Sequence, residues 1–196
     1  MNNKESQELY DIIDKNLGIL VRIVEAVHNS SDLKEIYNTA LDLVVELEKV
    51  DMATIYIVEE ATGDAVMKAN RGFPDDYVKN AGRIHSSRGI TWKVINSGEI
   101  LNVEDVHKYA EIGPAGRRAG YHGVLGVPVM LDQKAIGVIW FARYAEEKFT
   151  PREVELLSTI GSQIAIAISK AKQTQELEER NLNLSVLSAI AENVHK

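Results

Sequence analysis

From Thr150 to the end of the chain nothing stops a helix, and this segment constrains the fold more than any other. Thr150-Pro151-Arg152-Glu153 is a strong helix start, with a capping Thr, Pro at the first helical position and Glu placed to reach back to the cap. No proline and no capping glycine follows before Lys196. Some 45 residues at about 1.5 Å each make a rod far longer than a globular domain needs. Leu156, Leu157, Ile160, Ile164, Ala167, Ile168 and Ala171 can cover a sheet. Beyond them Leu177, Leu184, Leu187, Ala191 and Val194 fit a three-four repeat, with Arg180 as its weak place. The expected helix begins inside a domain and leaves it as a coiled coil.

The other end carries a similar stripe. Tyr10, Ile13, Leu17, Leu20, Val24 and Val27 recur at steps of three and four. The seam is narrow and its flanks are polar, so this helix is expected to pair with another helix rather than enter a core. Leu17–His28 (LGILVRIVEAVH) and Leu184–His195 (LSVLSAIAENVH) are identical at six of twelve positions, among them Glu25 with Glu192 and His28 with His195. The end of the chain therefore reads as the start of a second copy of the unit, and the chain as a piece of a longer protein. Two unrelated amphipathic helices are the alternative.

Between the rods the pattern changes. Asp32 with Glu35 reads as a capping box opening a helix whose apolar face is Leu33, Ile36, Tyr37, Ala40, Leu41, Val44 and Leu47. Residues 53–58 (ATIYIV) and 65–69 (AVMKA), joined through Thr62-Gly63-Asp64, predict an antiparallel hairpin. Thr54 and Tyr56 face one side and Ala53 and Ile55 the other, without an indication of which side is which. Residues 89–96 predict a short helix closed by Ser97-Gly98, and residues 100–106 a strand. Residues 107–120 lack periodicity and read as a long loop, the kind that is often functional. Residues 124–130 and 135–142 predict a second, more apolar hairpin, in which Trp140 reads as packing.

Composition excludes much of the chemistry. Among 196 residues there is no cysteine, which removes disulfides, thiolate nucleophiles and cysteine-held metals. The formal net charge of −7 argues against nucleic-acid binding by bulk electrostatics. No apolar run is long enough to span a membrane, and the opening MNNKESQELY is not a signal peptide, so a cytoplasmic location is expected.

Gly126-Val127-Pro128-Val129, Ala135-Ile136-Gly137-Val138-Ile139 and Phe149-Thr150-Pro151-Arg152-Glu153 with Leu156-Leu157 resemble the second half of a GAF domain. GITWKVINSGE and residues 100–106 resemble its middle, and the Asp32 helix with ATIYIV its start. The resemblance covers residues 30–170. It implies an α+β (α/β) fold: a central antiparallel sheet with the terminal helices on one face, and short helices and loops enclosing a pocket on the other. Residues 1–29 would be a dimerisation helix, 30–172 the sensory domain and 173–196 a coiled-coil linker. The family implies a sensory module of a multidomain signalling protein such as a sensor kinase.

Family ligands can be tested against this chain. Covalent bilin attachment and free-methionine sulfoxide reduction in the family work through cysteine, which is absent. The cyclic-nucleotide pattern survives only at Phe149, with Glu153 a partial match. His85, His107 and His122 are weak haem-ligand candidates, and Asp105 with His107 could share a metal only from an extended strand. Arg117 and Arg118 beside Gly113, Gly116 and Gly120 could clamp an anion, with Tyr121 and His122 following. Trp92 and Tyr109 could line the pocket. The ligand-binding candidates are thus Trp92, Tyr109, Arg117, Arg118, Tyr121 and His122, with no catalytic constellation, no metal site and no assigned cofactor. The expectation is a non-enzymatic domain that senses a small molecule and signals through a parallel homodimer, residues 10–27 beside 156–194. The alternative is a dimerising spacer with an empty pocket. A histidine and a carboxylate converging in the pocket would overturn the non-enzyme reading.

Overall fold

A computed structural model describes residues 3–47, 49–86 and 89–194. Side chains at 3–13, 15–16, 175–176, 178–179 and 182–194 lie outside the described residues. The elements are α1 (Asn3–Asn29), α2 (Leu33–Val44), β1 (Met52–Val58), β2 (Ala65–Arg71), α3 (Asp75–Ala81), β3 (Arg83–Ile84), α4 (Gly89–Ser97), β4 (Leu101–Val103), α5 (Pro114–Arg118), β5 (Gly123–Leu131), β6 (Lys134–Arg143) and α6 (Pro151–Val194).

Six antiparallel strands form one sheet in the order β3-β2-β1-β6-β5-β4. The central hairpin closes through Asp132 and Gln133, both at positive φ (47° and 65°), the geometry that matches strand twist in a two-residue turn. Because side chains alternate across a strand, the four longer strands β1, β2, β5 and β6 feed two cores. Ala53, Ile55, Leu125, Val127, Ile139 and Phe141 pack beneath α1, α2 and α6. Met52, Tyr56, Val124, Val138, Trp140 and Ala142 face the short helices. The Thr54–Tyr56 side of β1 is therefore the side away from the long helices. A bulge opposite Ile55/Tyr56 shifts the phase of β2, so that Ala65 and Ala69 fall in different cores. Burial on both faces is why β5 and β6 read as nearly continuous apolar runs.

Helix ends follow their chemistry. Thr150 N–H donates to Glu153 Oε2 at 2.6 Å and Glu153 N–H to Thr150 Oγ1 at 3.3 Å, a complete capping box for α6. Asp32 caps α2 through Lys34 N–H at 2.8 Å, but Glu35 accepts from the Ser30 hydroxyl at 2.6 Å instead of closing the box. Gly98 (φ 66°) ends α4, donating to Val94 O at 2.9 Å. The segment 107–120, expected as loop, contains the short helix α5, started by Pro114. The strand expected over 100–106 is limited to Leu101–Val103.

The two rods depart from expectation in one respect. α1 does enter the core: Ile19, Ile23 and Val27 are buried against α2 and α6, with Leu20 packed beside them. Leu17, Val21 and Val24 form a second stripe, exposed by 57%, 48% and 44%. The expected seam is thus split between two faces, because the first two turns after Gly18 supply apolar residues on both. Tyr10, Ile13, Leu184, Leu187, Ala191 and Val194, and the Glu192–His195 half of the internal repeat, lie outside the described side chains. Among the described residues no helix is long and apolar enough to cross a membrane.

Candidate functional site

On the side of the sheet opposite the long helices, α3, β3, α4 and α5 border a half-open cavity of about 860 Å³. Its base is Trp140 of β6, with Tyr121 and Tyr77 beside it. Trp140 therefore does more than pack: its ring lies over Gly126 of the paired strand, where a Cβ would sit 2.5 Å from the indole. Its Nε1–H donates to Thr91 Oγ1 at 3.2 Å, which ties the first turn of α4 to the sheet. Gly89, Ile90 and Thr91 of that turn form one wall, and Gly113, Pro114, Ala115 and Gly116 another. Gly116 is required by the tyrosine opposite: a Cβ there would fall 3.0 Å from the Tyr121 hydroxyl and 2.9 Å from Ile112.

The tyrosines behind the wall are coupled. Tyr56 donates its hydroxyl proton to Ala81 O at 2.8 Å and lies 3.3 Å from the Tyr77 hydroxyl. Phe73 stacks on Tyr77 with ring centres 4.5 Å apart and meets Tyr121 edge-on at 5.5 Å. Burial pushes Tyr56, Tyr77 and Tyr121 above the usual phenol range, so all three stay neutral and can donate as well as accept.

Polar groups gather at the rim formed by Asn80, Arg83 and His85. His85 Nδ1 lies 3.1 Å from both oxygens of the buried Asp64 carboxylate, and Arg83 reaches the same carboxylate at 3.2 Å and Glu59 at 2.9 Å. Burial alone would raise the Asp64 carboxyl, but the hydrogen bonds from His85 and Arg83 outweigh it and hold the group below its ordinary range. The Asp64–His85 pair joins the turn after β1 to the segment after β3. Sequence reading missed it, because 21 residues separate the partners and no local pattern marks them.

Of the six residues singled out in sequence, Tyr121 lines the cavity and the other five are absent from its wall. Trp92 is buried in the same core and donates to the carbonyl of the lining residue Ile84 at 3.2 Å. Tyr109 holds Lys93 Nζ at 2.9 Å, and Lys93 also pairs with Glu111 at 2.8 Å. Arg117 donates to the carbonyls of Tyr109, Ala110 and Ile112, so it clamps its own loop. Arg118 faces solvent 3.4 Å from Asp76. His122 sits by Asp105 at 3.2 Å. The two arginines thus point apart and do not form a joint anion clamp. Glu153 is more than a cap: its Oε1 lies 3.2 Å from Arg143, whose buried guanidinium stacks 3.6 Å from the Phe149 ring centre.

A comparison with curated proteins returns no match. Among solved structures, the GAF domain of a phosphoenolpyruvate-protein phosphotransferase from Acinetobacter superposes with a TM-score of 0.69 at 25% identity, covering 88% of this chain and 97% of that one. The GAF domain of the corresponding protein from Coxiella burnetii gives 0.73 at 21% identity, covering 83% and 97%. A free methionine-R-sulfoxide reductase from Neisseria meningitidis, solved with its substrate, gives 0.70 at 16% identity, covering 81% and 91%.

The last of these corrects the expectation that the chain is not an enzyme. The same fold serves reductases, from Thermoplasma acidophilum and Staphylococcus aureus as well, so the fold alone does not separate binding modules from catalysts. The convergence of His85 and Asp64 at the cavity rim removes the second support for that expectation. A model of the GAF domain matches residues 30–169, well over half the sequence, and with the superposition on solved GAF domains this establishes that the chain belongs to the GAF domain family.

Proposed function

We infer that this GAF domain is the sensory module of a larger signalling protein, and that a small organic molecule in the cavity is its signal. The cavity of about 860 Å³ carries the reading, because it is in the size range of metabolite sites and has a mixed lining. Ile90, Ile112 and Trp140 suit an apolar body, and Asn80, Arg83 and His85 a polar end at the rim. Occupancy has a physical route outward. Trp140 at the cavity base alternates along β6 with Ile139 and Phe141, which pack under the long helices. A ligand that prefers one placement of β6 biases the packing of α1 and α6 by its differential affinity, a population shift. The exposed stripe Leu17, Val21 and Val24 and the exposed Leu177 supply apolar surface for a parallel homodimer that relays this packing to the next domain, as in a sensor kinase.

The test is thermal unfolding against a panel of nucleotides, amino acids, organic acids and haem. A ligand at a hundred times its Kd adds about 2.7 kcal/mol, about 5–10 °C for a domain of this size. Ala115→Trp, which fills the cavity from α5, should abolish the shift while leaving the helix content unchanged. A panel that shifts nothing leaves the dimerising rods as the functional part, a spacer. A shift that survives Ala115→Trp moves the site elsewhere.

A further inference from the structure

Outside the cavity the fold assembles a second cluster. Asp105 follows β4, one of the two edge strands, and His122 immediately precedes β5. Val106 N–H donates to His122 O at 2.9 Å, so the backbone itself holds positions 105–107 against 122. Asp105 Oδ1 accepts His107 N–H at 3.0 Å and lies 3.2 Å from His122 Nδ1. The His107 and His122 rings meet edge to face with centres 5.2 Å apart. One ligand atom from each of the three side chains falls within 4.8 Å of the others. None of the three belongs to the cavity wall.

We propose that Asp105, His107 and His122 form a binding site for a divalent first-row transition ion, with Zn2+ as its representative. The donor set points to that class: two imidazoles and one carboxylate suit ions of borderline softness, whereas calcium and magnesium take oxygen ligands. The spacing fits as well. At metal–ligand distances of about 2.1 Å, neighbouring donors stand about 3.0 Å apart in an octahedral site and about 3.4 Å in a tetrahedral one. The Asp105–His122 separation of 3.2 Å lies between these values. His107 is exposed, so its ring can rotate to bring the third donor in.

The carboxylate is prepared for the role. Asp105 is only 6% exposed, and the His107 backbone N–H fixes the orientation of its carboxylate. Lys108 lies 3.5 Å from Asp105 Oδ2 but is also bonded to Glu146, so it can leave Asp105 to an incoming cation without losing its partner. His122 keeps 39% of its side chain exposed, which leaves the remaining coordination positions open to water. A bound ion would cross-link the end of β4 to the start of β5.

The experiment titrates tag-free protein with Zn2+ by calorimetry and with Co2+ by visible absorbance, whose d–d bands report nitrogen and oxygen ligation. One ion per chain is expected. His107→Gln and His122→Gln should each weaken it by at least about tenfold. His85→Gln should leave it unchanged. Wild-type unfolding temperature should rise with Zn2+, and that rise should vanish in His107→Gln, an exposed position where the fold is not at stake. Failure of the wild type to take up either ion at micromolar protein overturns the proposal. So does unchanged binding in His107→Gln, or loss of binding in His85→Gln, which would put the ion at the cavity rim.

Discussion

Ile23→Ala tests whether α1 is part of the domain or a rod attached to it. Ile23 is fully buried where α1 meets α2 and α6, whereas Leu17, on the same helix, is 57% exposed. The substitution removes three carbons, about 2.4 kcal/mol at about 0.8 kcal/mol per methylene. Incomplete collapse of the resulting cavity raises the loss to about 3–4 kcal/mol. With a urea m-value of about 2 kcal/mol/M, the unfolding midpoint should drop by about 1.5–2 M. Leu17→Ala should shift it by less than about 0.3 M at low protein concentration, since an exposed side chain has little to lose. Urea titrations followed by circular dichroism, with sedimentation at each concentration, separate the two. If the open stripe is a dimer seam, Leu17→Ala becomes destabilising only at concentrations where the wild type associates. Equal, small effects for both variants would refute the packing of α1 into the core.

Gly126→Val drives a branched side chain into the Trp140 ring, where even a Cβ has 2.5 Å, and should cost about 1–3 kcal/mol, read in urea, together with a shift in tryptophan emission. Acid stability should depend on Glu153. Burial raises its carboxyl, but the Thr150 N–H and the Arg143 charge outweigh burial, so the folded value is lowered. A lowered carboxyl stabilises the fold above its unfolded value of about 4.3 and loses that contribution as pH falls through the folded value. The wild-type urea midpoint should therefore be flat on this account above about pH 5 and decline below it, and Glu153→Gln should flatten the decline. An identical decline in the variant would remove Glu153 from the account.

Local chemistry made most elements legible. The Thr150–Glu153 box, the Gly98 cap and the β-branched and aromatic run in residues 53–58 each act within a few residues, so they can be read along the chain. α5 escaped because five residues are too few to show a period. The cavity was less legible. Tyr121 could be singled out, but Trp140, read as packing, packs and also lines the cavity, while in α4 Thr91 lines it and Trp92 bonds to Ile84. His85 with Asp64, and His122 with Asp105, become partners only when distant segments meet.

The amino-acid order by itself determined most of the elements, the family and the exclusion of thiol chemistry, since caps, periodicities and residue types are properties of neighbours in the chain. Tertiary structure decided which strand face the cavity uses, which stripe of α1 is buried and which polar residues converge. Those outcomes depend on strand register, bulge position and helix phase, and the energies that set them come from contacts between residues far apart in sequence.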